Sequence, residues 1–550
     1  MTTEALQDER LQPDETSPLL RNASGAEEAG CTPSPEAEEL SNVKLFTILC
    51  SIWIGVFLAA LDSTVISTLL APISTSFQSF ATVGWITTSY LISQAALQPL
   101  AGKLTDIFGR RSGLLVSNTA FGIGTLMCGV ATSEHVIIIG RVIAGAGGGG
   151  LTTLSSIVAS DLVPLRKRGL YQGFGNIAYG TGAALGGLYG GVVSDWIGWR
   201  WAFLLQIPLI IVSALLVFIM VRIPVNSSEG GRLQRIDFRG SISLVAFLVL
   251  FLLALSNTHG EGPKRGEDIN DTTGSFIGWP LGAASLVFLA TFIVVEKRYA
   301  REPIMPLDIL HDRTITGSLL SFMFMTMAMF GAYFYIPIYS MLTGSTATTA
   351  GLRLTPYAAG ISLGSLTVGY IMNATGRYYY LGLLSLTSFI AGLTLLASFT
   401  FTTPTSLQIL ALSLFGIGYG AQLTVGLCAL MASVKHSQQA TTTSASYLFR
   451  ATGGTIGAAI GSAVFQSRLQ IELLERLGKS KEAKEIMRRV INDFDEVRKL
   501  APEWRPRVED AFMESLHAVF FTAMALGGAA LVAMSFIREM PLHRRLADHK

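Results

Sequence analysis

The sequence predicts an all-α membrane protein with about fourteen transmembrane helices, and three observations carry this prediction. Half of the 550 residues are hydrophobic and only 14% are charged, whereas soluble domains carry about 25% charged residues. Apolar runs recur from Lys44 onward, each roughly twenty residues long, which is the length that crosses a bilayer core. A loop motif between the second and third runs recurs in the second half of the chain, as in a duplicated helical bundle.

The predicted spans form two groups of six with an extra pair between them. They lie near 45–71, 82–101, 112–132, 135–158, 170–193, 202–222, 240–257, 276–296, 315–342, 350–372, 379–400, 406–432, 446–466 and 515–537. The domains follow from this grouping as a disordered cytosolic tail at 1–43, an N-terminal six-helix bundle at 44–223, two inserted helices with linkers at 224–312, a C-terminal six-helix bundle at 313–538 and a cytosolic tail at 539–550.

The N-terminal tail is rich in Glu, Pro, Ser and Ala, a composition that favours disorder. Within it, Glu15, Leu19 and Leu20 fit an acidic dileucine pattern. Sorting adaptors bind such a pattern as an extended peptide, and it would direct the protein to the vacuole or lysosome. The alternative is a tail without a sorting signal. Because the first forty or so residues are polar, we expect no cleavable signal peptide.

The basic residues of the loops predict the orientation. About sixteen of them fall in the loops on one face of the predicted bundle and about four in the short loops on the other, and cytosolic loops carry the excess of Lys and Arg. This asymmetry places both termini in the cytosol. The four cysteines have no metal-ligand spacing, so neither a metal site nor a disulfide framework is expected.

The long loop before the last span departs from the apolar pattern. Residues 468–511 are highly charged, with apolar residues at helical intervals. We expect amphipathic helices on the non-cytosolic face, lying on the membrane or capping the bundle, or a simply solvated charged face. Asn270 begins an Asn-Asp-Thr tripeptide in the seventh external loop and is a candidate glycosylation acceptor.

The loop from Gly102 to Arg111 carries the motif Gly-Lys-Leu-Thr-Asp-Ile-Phe-Gly-Arg-Arg. Its glycines Gly102 and Gly109 permit close backbone approach. Asp106 can accept hydrogen bonds that Arg110 and Arg111 donate, so these three residues form a predicted conformational latch. The alternative is a basic hairpin that only sets topology. The repeat of this spacing in the second half consists of Gly369, Asn373, Gly376 and Arg377.

Ionisable residues inside membrane spans are functional candidates because they are costly to hold there. Asp62 lies well inside the first span, and an acid in low-dielectric surroundings is suited to bind and release a proton. The alternative is a hydrogen-bond acceptor for neighbouring Ser63 and Thr64. Arg141 lies near the start of the fourth span, before a run of glycines, and can stabilise an ionised acid or instead extend to the membrane surface.

Other charged and polar residues are weaker candidates. Arg450, near the start of the thirteenth span, resembles Arg141 in its setting, and Asp161 is expected to pair with the latch arginines. Interhelical hydrogen bonding is the commoner role for amides and hydroxyls in spans. The residues that could instead line a pathway are Asn118, Asn176, Tyr179, Gln206 and Gln422.

These motifs resemble those of the major facilitator superfamily. The Gly102–Arg111 loop is similar to the family's motif between its second and third helices, and Arg141 with Gly145 is similar to its fourth-helix motif, which the family links to proton coupling. Gly182, Gly186 and Gly187 resemble the fifth-helix antiporter motif, which favours proline where this chain has alanine at position 183. That departure weakens the inference of antiport.

Two further motifs narrow the resemblance. Leu61-Asp-Ser-Thr-Val65, and Trp199-Arg-Trp-Ala-Phe203 with Pro208, are similar to the fourteen-span drug:proton antiporter branch. Within that branch, the chain most resembles fungal vacuolar basic amino acid permeases, both in the residues of its motifs and in its dileucine tail. The second-half loop has Asn373 in place of an acid, so proton coupling is expected in the N-terminal half.

The resemblance implies a major facilitator fold and a proton-coupled antiporter that moves basic amino acids into the vacuole. The alternative is a multidrug or siderophore exporter of the plasma membrane. The proton gradient would take the place of a cofactor, and the partners would be a small-molecule substrate, protons, membrane lipid and a sorting adaptor. A non-transporting nutrient receptor would keep the same fold but need a long cytosolic signalling domain. It is not favoured, because the predicted cytosolic tails are short. An enzyme is not expected, because the sequence has no evident nucleophile–base pair.

Overall fold

The computed structural model describes residues 42–77, 83–222, 237–258, 273–299, 310–345, 347–435, 438–478, 480–492, 497 and 500–542. The chain divides into two compact units, Met1–Leu45 and Phe46–Lys550. Of the first unit, only residues 42–45 are described, as the start of a helix. The predicted sorting signal at Glu15, Leu19 and Leu20 and the candidate glycosylation site at Asn270 lie outside the described residues.

The N-terminal half and the inserted pair are helical wherever the chain is described. Their helices are α1 (Asn42–Phe77), α2 (Val83–Phe108), α3 (Arg110–Gly129), α4 (Glu134–Leu162), α5 (Leu165–Ile197), α6 (Trp199–Leu204), α7 (Ile207–Met220), α8 (Phe238–Thr258) and α9 (Thr273–Arg298). The inserted helices α8 and α9 pack against each other, and α8 also packs against α2.

The C-terminal half continues the same architecture. Its helices are α10 (Arg313–Tyr333), α11 (Ile336–Leu342), α12 (Ala347–Leu352), α13 (Thr355–Thr375), α14 (Tyr379–Ala397), α15 (Thr405–Ala432), α16 (Gln439–Leu477), α17 (Lys481–Asn492) and α18 (Arg505–Ser535). Each of the fourteen predicted spans therefore coincides with one helix or with two consecutive ones, and the all-α prediction is confirmed.

Local sequence explains where several helices end. Gly109 separates α2 from α3 with φ +95°, and Gly198 separates α5 from α6 with φ +97°, a region that favours glycine. Pro208 stands in the first turn of α7, where its missing N–H has no cost. At the start of α10, Asp312 caps the helix by accepting hydrogen bonds from the backbone N–H groups of Thr314 and Ile315.

The two halves repeat one packing scheme. In the N-terminal half α4 packs against both α2 and α3, and in the C-terminal half α15 packs against both α13 and α14. The contacts between the halves are also paired, because α5 packs against α13 while α16 packs against α2. The duplication that the loop motif predicts is therefore visible in the helix packing.

Among the described residues, nine helical segments are long and apolar enough to cross a membrane. Helices α2, α3, α5, α13 and α16 occupy the remaining predicted spans without reaching that apolarity. They contact neighbouring helices along their length, and interfaces between membrane helices favour small and weakly polar residues. Their modest hydropathy thus reflects contact with protein rather than with lipid.

The charged segment 468–511 is largely an extension of two spans. Helix α16 continues to Leu477 and α18 begins at Arg505, with α17 between them. The apolar side chains of this segment join the core of the C-terminal half, since Leu473 and Val508 are fully buried in the same cluster as residues of α10 to α15. The sequence allows helices that lie on the membrane, helices that cap the bundle or a solvated charged face. The packing of these side chains corresponds to the second.

Candidate functional site

A buried ion pair joins Asp62 on α1 to Arg141 on α4. One guanidinium nitrogen of Arg141 lies 2.6 Å from Oδ2 of Asp62, and the two side chains are 1% and 0% exposed. The arginine Nε donates to the carbonyl of Ile86 at 3.3 Å, and the guanidinium lies 4.1 Å from the centre of the Tyr90 ring. A buried ion pair is tolerated only where further groups contact the charges. The carbonyl of Ile86 and the ring of Tyr90 provide those contacts here.

Glycines on α4 allow Arg141 to reach this position. A Cβ atom at Gly145 would collide with the carbonyl oxygen of Tyr90, and one at Gly149 would lie 2.9 Å from the carbonyl oxygen of Gln94. The backbones of α4 and α2 are therefore as close as glycine permits. This approach holds Arg141 beside Tyr90 and directs it toward α1.

Gln206, at the junction of α6 and α7, lies beside the Asp62 carboxyl. Within the described residues, neither Oδ1 of Asp62 nor Oε1 of Gln206 has a hydrogen-bond partner, while Nε2 of Gln206 donates to the carbonyl of Ala202 at 2.8 Å. A buried acceptor without a donor is unfavourable. A proton on Oδ1 would remove this unpaired acceptor, and Oδ2 would keep its hydrogen bond from Arg141.

The neighbouring hydroxyls do not provide that donor. Ser63 donates to the carbonyl of Ala60 at 2.7 Å, and Thr64 lies 3.2 Å from the carbonyls of both Ala60 and Leu61. The observed partner of Asp62 is Arg141, which the sequence placed on a different span. A proton on the carboxyl would neutralise Asp62 and leave Arg141 bound to it by a hydrogen bond alone, and release of that proton would restore the ion pair.

Helix α5 packs against α1 through a row of glycines. A Cβ atom at Gly182 would collide with the carbonyl of Phe57, and one at Gly186 would lie 2.5 Å from the carbonyl oxygen of Leu61. Gly190 continues this row, whereas a Cβ at Gly187 would meet only a methyl group of Thr68, at 3.8 Å. Of the three predicted motif glycines, Gly182 and Gly186 face α1, directly beside Asp62.

The predicted latch residues form a compact charge cluster. Arg110 donates from Nε to Asp161 at 2.7 Å and lies 2.5 Å from Asp106. Arg111 donates to the carbonyl of Phe218 at 2.5 Å, with its guanidinium 4.3 Å from the centre of that ring. Asp106 lies beyond the predicted end of its span, where burial raises the pKa of the carboxyl and Arg110 opposes the increase. The end of the bundle that carries Asp106, Arg110, Arg111 and Asp161 is called the latch end below.

The two halves are joined at the latch end. Arg166 donates to the carbonyls of Asn373 and Ala374, both at 2.6 Å, where the C-terminal end of α13 carries partial negative charge. Arg168 donates to Oε1 of Gln439 at 3.0 Å. In the sequence, these arginines stand out only as basic loop residues of the kind that indicate orientation.

Small residues bring the halves close at the same end. A Cβ at Gly102 on α2 would lie 3.0 Å from the carbonyl of Ala440 on α16, and one at Gly369 on α13 would lie 2.5 Å from the carbonyl of Gly169 on α5. Gly102 and Gly369 occupy equivalent places in the repeated loop motif. The first glycine of each copy thus serves the contact between halves, and the structure is closed at the latch end.

The other predicted polar residues lie in different settings. Asn118 donates to the carbonyl of Leu114 within α3 at 3.1 Å, and Asn176 donates across the halves to Ser365 at 2.8 Å. Gln422 is bonded inside the C-terminal half, to Ser321 and Ser385. Tyr179 lies between the halves, beside Arg450.

Breaking the Arg166 contacts is expected to open the latch end. Cys428 is 2% exposed and lines a small cavity between α4, α5 and α15, together with Arg168. In a protein with the other cysteines replaced by serine, Arg166→Ala should raise the rate of maleimide labelling at Cys428 about tenfold, because it removes two charge-assisted hydrogen bonds. Arg239→Ala, at an exposed position on α8, is the control, and equal labelling of both variants would contradict the assignment.

The fold and the site define a membrane transporter made of two related helical halves with a buried ion pair. The chain belongs to the Major Facilitator Superfamily, whose family model matches residues 52–462. The family's members are transporters, so the chain is a transporter and not an enzyme.

Curated relatives cover nearly the whole chain. It is 35% identical to the multidrug resistance protein fnx1 of Schizosaccharomyces pombe, over 93% of this chain and 95% of that protein. It is 32% identical to the vacuolar membrane amino acid uptake transporter fnx2 of the same yeast, over 96% and 90%. It is also 32% identical to the vacuolar basic amino acid transporter 1 of Saccharomyces cerevisiae, over 85% and 86%.

Solved structures share the fold at low identity. The proton:xylose symporter XylE matches with a TM-score of 0.56 at 16% identity, over 92% of this chain and 99% of that one. The human organic anion transporter MFSD10 matches with a TM-score of 0.55 at 14% identity, over 89% and 99%. These likenesses confirm the major facilitator fold.

Proposed function

We propose that this protein is a proton-coupled antiporter that moves basic amino acids into the vacuole, with the latch end and both termini in the cytosol. The observation that carries the proposal is the buried pair of Asp62 and Arg141, whose free carboxylate oxygen can take up a proton. Relatives that are named as vacuolar amino acid transporters support the cargo and the membrane.

In this mechanism the two halves open alternately to either side of the membrane. Asp62 is buried in the present structure, so a further opening on the lumenal side would expose it to the acidic lumen, where a proton binds at Oδ1. Opening of the latch end releases that proton to the cytosol. The contacts that must break for this step are those of Arg166 and Arg168 with the C-terminal half. Proton movement from the lumen to the cytosol would then drive the cargo from the cytosol into the lumen.

A second candidate function is export of drugs. The relative with the higher identity is named as a multidrug resistance protein, and an exporter of hydrophobic cations would use the same fold and the same proton site. The dileucine residues Leu19 and Leu20 bear on this choice, since a signal for the vacuole would favour the amino acid function. Imaging of a tagged chain with both leucines replaced by alanine tests that signal.

The experiment that tests the proposed function uses purified protein in lipid vesicles with an imposed pH gradient, acidic inside. Uptake of labelled lysine and arginine should exceed that of control vesicles and should stop when a protonophore collapses the gradient. Dye cations are assayed in parallel. Uptake of dyes without uptake of amino acids would instead establish the drug exporter, and uptake that persists without a gradient would rule out proton coupling.

A further inference from the structure

We propose that Arg450 binds the carboxylate of the transported molecule, within a cluster of tyrosines between the two halves. The proposal deepens the proposed function, because it names the chemical group by which the cargo is recognised. The tyrosine cluster is defined as Tyr179, Tyr333, Tyr357, Tyr419 and Tyr447.

Arg450 lies well inside helix α16 rather than near its end. Helix α16 begins at Gln439, eight residues before Tyr447, so Arg450 is in the fourth helical turn. Its guanidinium lies 4.7 Å from the centre of the Tyr447 ring, and the hydroxyl of Tyr419 on α15 is beside it. Tyr179, from α5 in the opposite half, is also close enough to act on its charge. The arginine therefore lies at the boundary between the halves.

Among the described residues, the charge of Arg450 has no counter-ion. In the part of the chain that the structure describes, it forms no ion pair with a carboxylate, and the groups that act on its charge are tyrosines. Arg141, by contrast, has Asp62 at 2.6 Å. A cation withdrawn from water without a partner is costly, and the planar guanidinium fits a carboxylate with two parallel hydrogen bonds. The missing partner is therefore an anionic group supplied by a ligand.

The cluster also leaves room for a ligand. Tyr419 and Tyr447 are 6% and 9% exposed, whereas 42% of the surface of Tyr179 is accessible. Because Tyr179 lies close to Arg450, a ligand that contacts this surface would also reach the guanidinium. The rings of Tyr333, Tyr357 and Tyr419 extend this aromatic surface. The ring centroids of Tyr333 and Tyr357 are 5.3 Å apart, and those of Tyr357 and Tyr419 are 6.4 Å apart.

This combination fits an amino acid better than a simple organic cation. The guanidinium attracts a carboxylate and repels a ligand that carries only positive charge. The electron-rich faces of the tyrosines bind an ammonium group, which an amino acid also carries. A carboxylate on Arg450 and an ammonium against the rings would satisfy both features, whereas a hydrophobic cation would satisfy only the second.

The cluster is also connected to the proton site and to the closure between the halves. The hydroxyl of Tyr447 is 2.7 Å from the hydroxyl of Ser156 on α4, so a ligand that moves Arg450 and Tyr447 would strain a contact between the halves. Tyr179 is close enough to Tyr90 to act on its charge, and Tyr90 lies against Arg141. The tyrosines thus form a physical link from the cargo to the pair that binds the proton.

The test compares molecules that differ by the carboxylate alone. Binding of lysine and of cadaverine, which is lysine without its carboxylate, is measured by scintillation proximity on the purified full chain. The same is done for leucine and isoamylamine. The wild-type protein should bind at least one amino acid roughly 10- to 100-fold more tightly than its amine, the range expected for a charge-assisted hydrogen bond. Arg450→Gln should remove most of that preference.

Two further variants keep the test decisive. Arg450→Lys retains the charge without the planar fork and should bind lysine several-fold more weakly, with a reduced preference over cadaverine. This variant also serves if Arg450→Gln does not fold, which gel filtration and thermal unfolding would reveal. Arg298→Gln removes an exposed charge from the last turn of α9 and should change nothing.

The outcomes separate this inference from the proposed function. If lysine does not bind but leucine binds through Arg450, the proposed cargo is wrong and the carboxylate site stands. If amino acid and amine bind equally to the wild-type protein, the inference is wrong. The same holds if both Arg450 variants keep the wild-type preference, or if only dye cations bind and Arg450→Gln leaves them unaffected.

Discussion

Asp62→Asn is expected to reduce pH-gradient-driven uptake of lysine to the level of protein-free vesicles. Asparagine has nearly the same shape as aspartate but cannot take up or release a proton, so the driving force is disconnected from the cargo. Arg141 would retain the carbonyl of Ile86 and the ring of Tyr90 but lose its counter-ion. Exchange of lysine across the membrane without a gradient should persist, because Arg450 provides a separate site for the cargo.

Asp195→Asn is the matched control for this variant. Asp195 is an exposed carboxylate near the end of α5, and its replacement should leave gradient-driven uptake at the wild-type rate. Thermal unfolding of both variants in detergent shows whether the buried substitution has reduced stability. Gradient-driven uptake by a folded Asp62→Asn variant at the wild-type rate would remove Asp62 from the coupling mechanism.

Gly186→Leu is expected to abolish transport and to lower the yield of folded protein. Even the first carbon of a side chain at this position would lie 2.5 Å from the carbonyl oxygen of Leu61 and would collide with the hydroxyl of Thr64. Because the carbonyl of Leu61 is backbone and cannot rotate aside, α5 must move away from α1. Overpacking of a core costs about 1–3 kcal/mol or more, and here it would also displace the helix that carries Asp62.

A glycine on another face of α5 provides the comparison. A Cβ atom at Gly191 would have no protein atom within 4 Å, so Gly191→Leu should be tolerated in both yield and transport. Gly187→Ala should also be tolerated, because its Cβ would make only an ordinary contact with Thr68. Fluorescence-detected gel filtration and lysine uptake report the two effects. Equal behaviour of Gly186→Leu and Gly191→Leu would show that close packing of α5 on α1 is dispensable.

The residues of the proposed proton site could be anticipated from the sequence because charges within apolar runs are conspicuous. Asp62 and Arg141 stand out for that reason, and the latch arginines stand out because they lie in a short repeated loop. Their pairing could not be anticipated. Asp62 and Arg141 are 79 positions apart, and the hydropathy pattern does not indicate which helices touch.

The residues between the halves were hidden by the same pattern. The segment from Gln439 to Ser446 is polar, so the hydropathy pattern predicts that the thirteenth span begins near residue 446, with Arg450 close to its start. In the structure this segment is buried helix, because small polar side chains can pack between membrane helices as well as apolar ones. Arg450 is therefore central. The contacts of Arg166 and Arg168 could not be predicted for another reason. Basic residues in a cytosolic loop are expected from membrane topology alone, so nothing in the sequence marks these two as contacts between the halves.

The sequence by itself determined the class of fold, the number of spans and the duplication, because a bilayer requires apolar helices of a fixed length and short loops between them. It also identified Asp62 and Arg141 as the charges most costly to bury. Only the tertiary structure decided that these two charges meet, that Gly186 must remain a glycine, and that Arg450 has no counter-ion among the residues that the structure describes. Those facts depend on which helices approach each other, and packing between helices is a long-range property that local hydropathy does not encode.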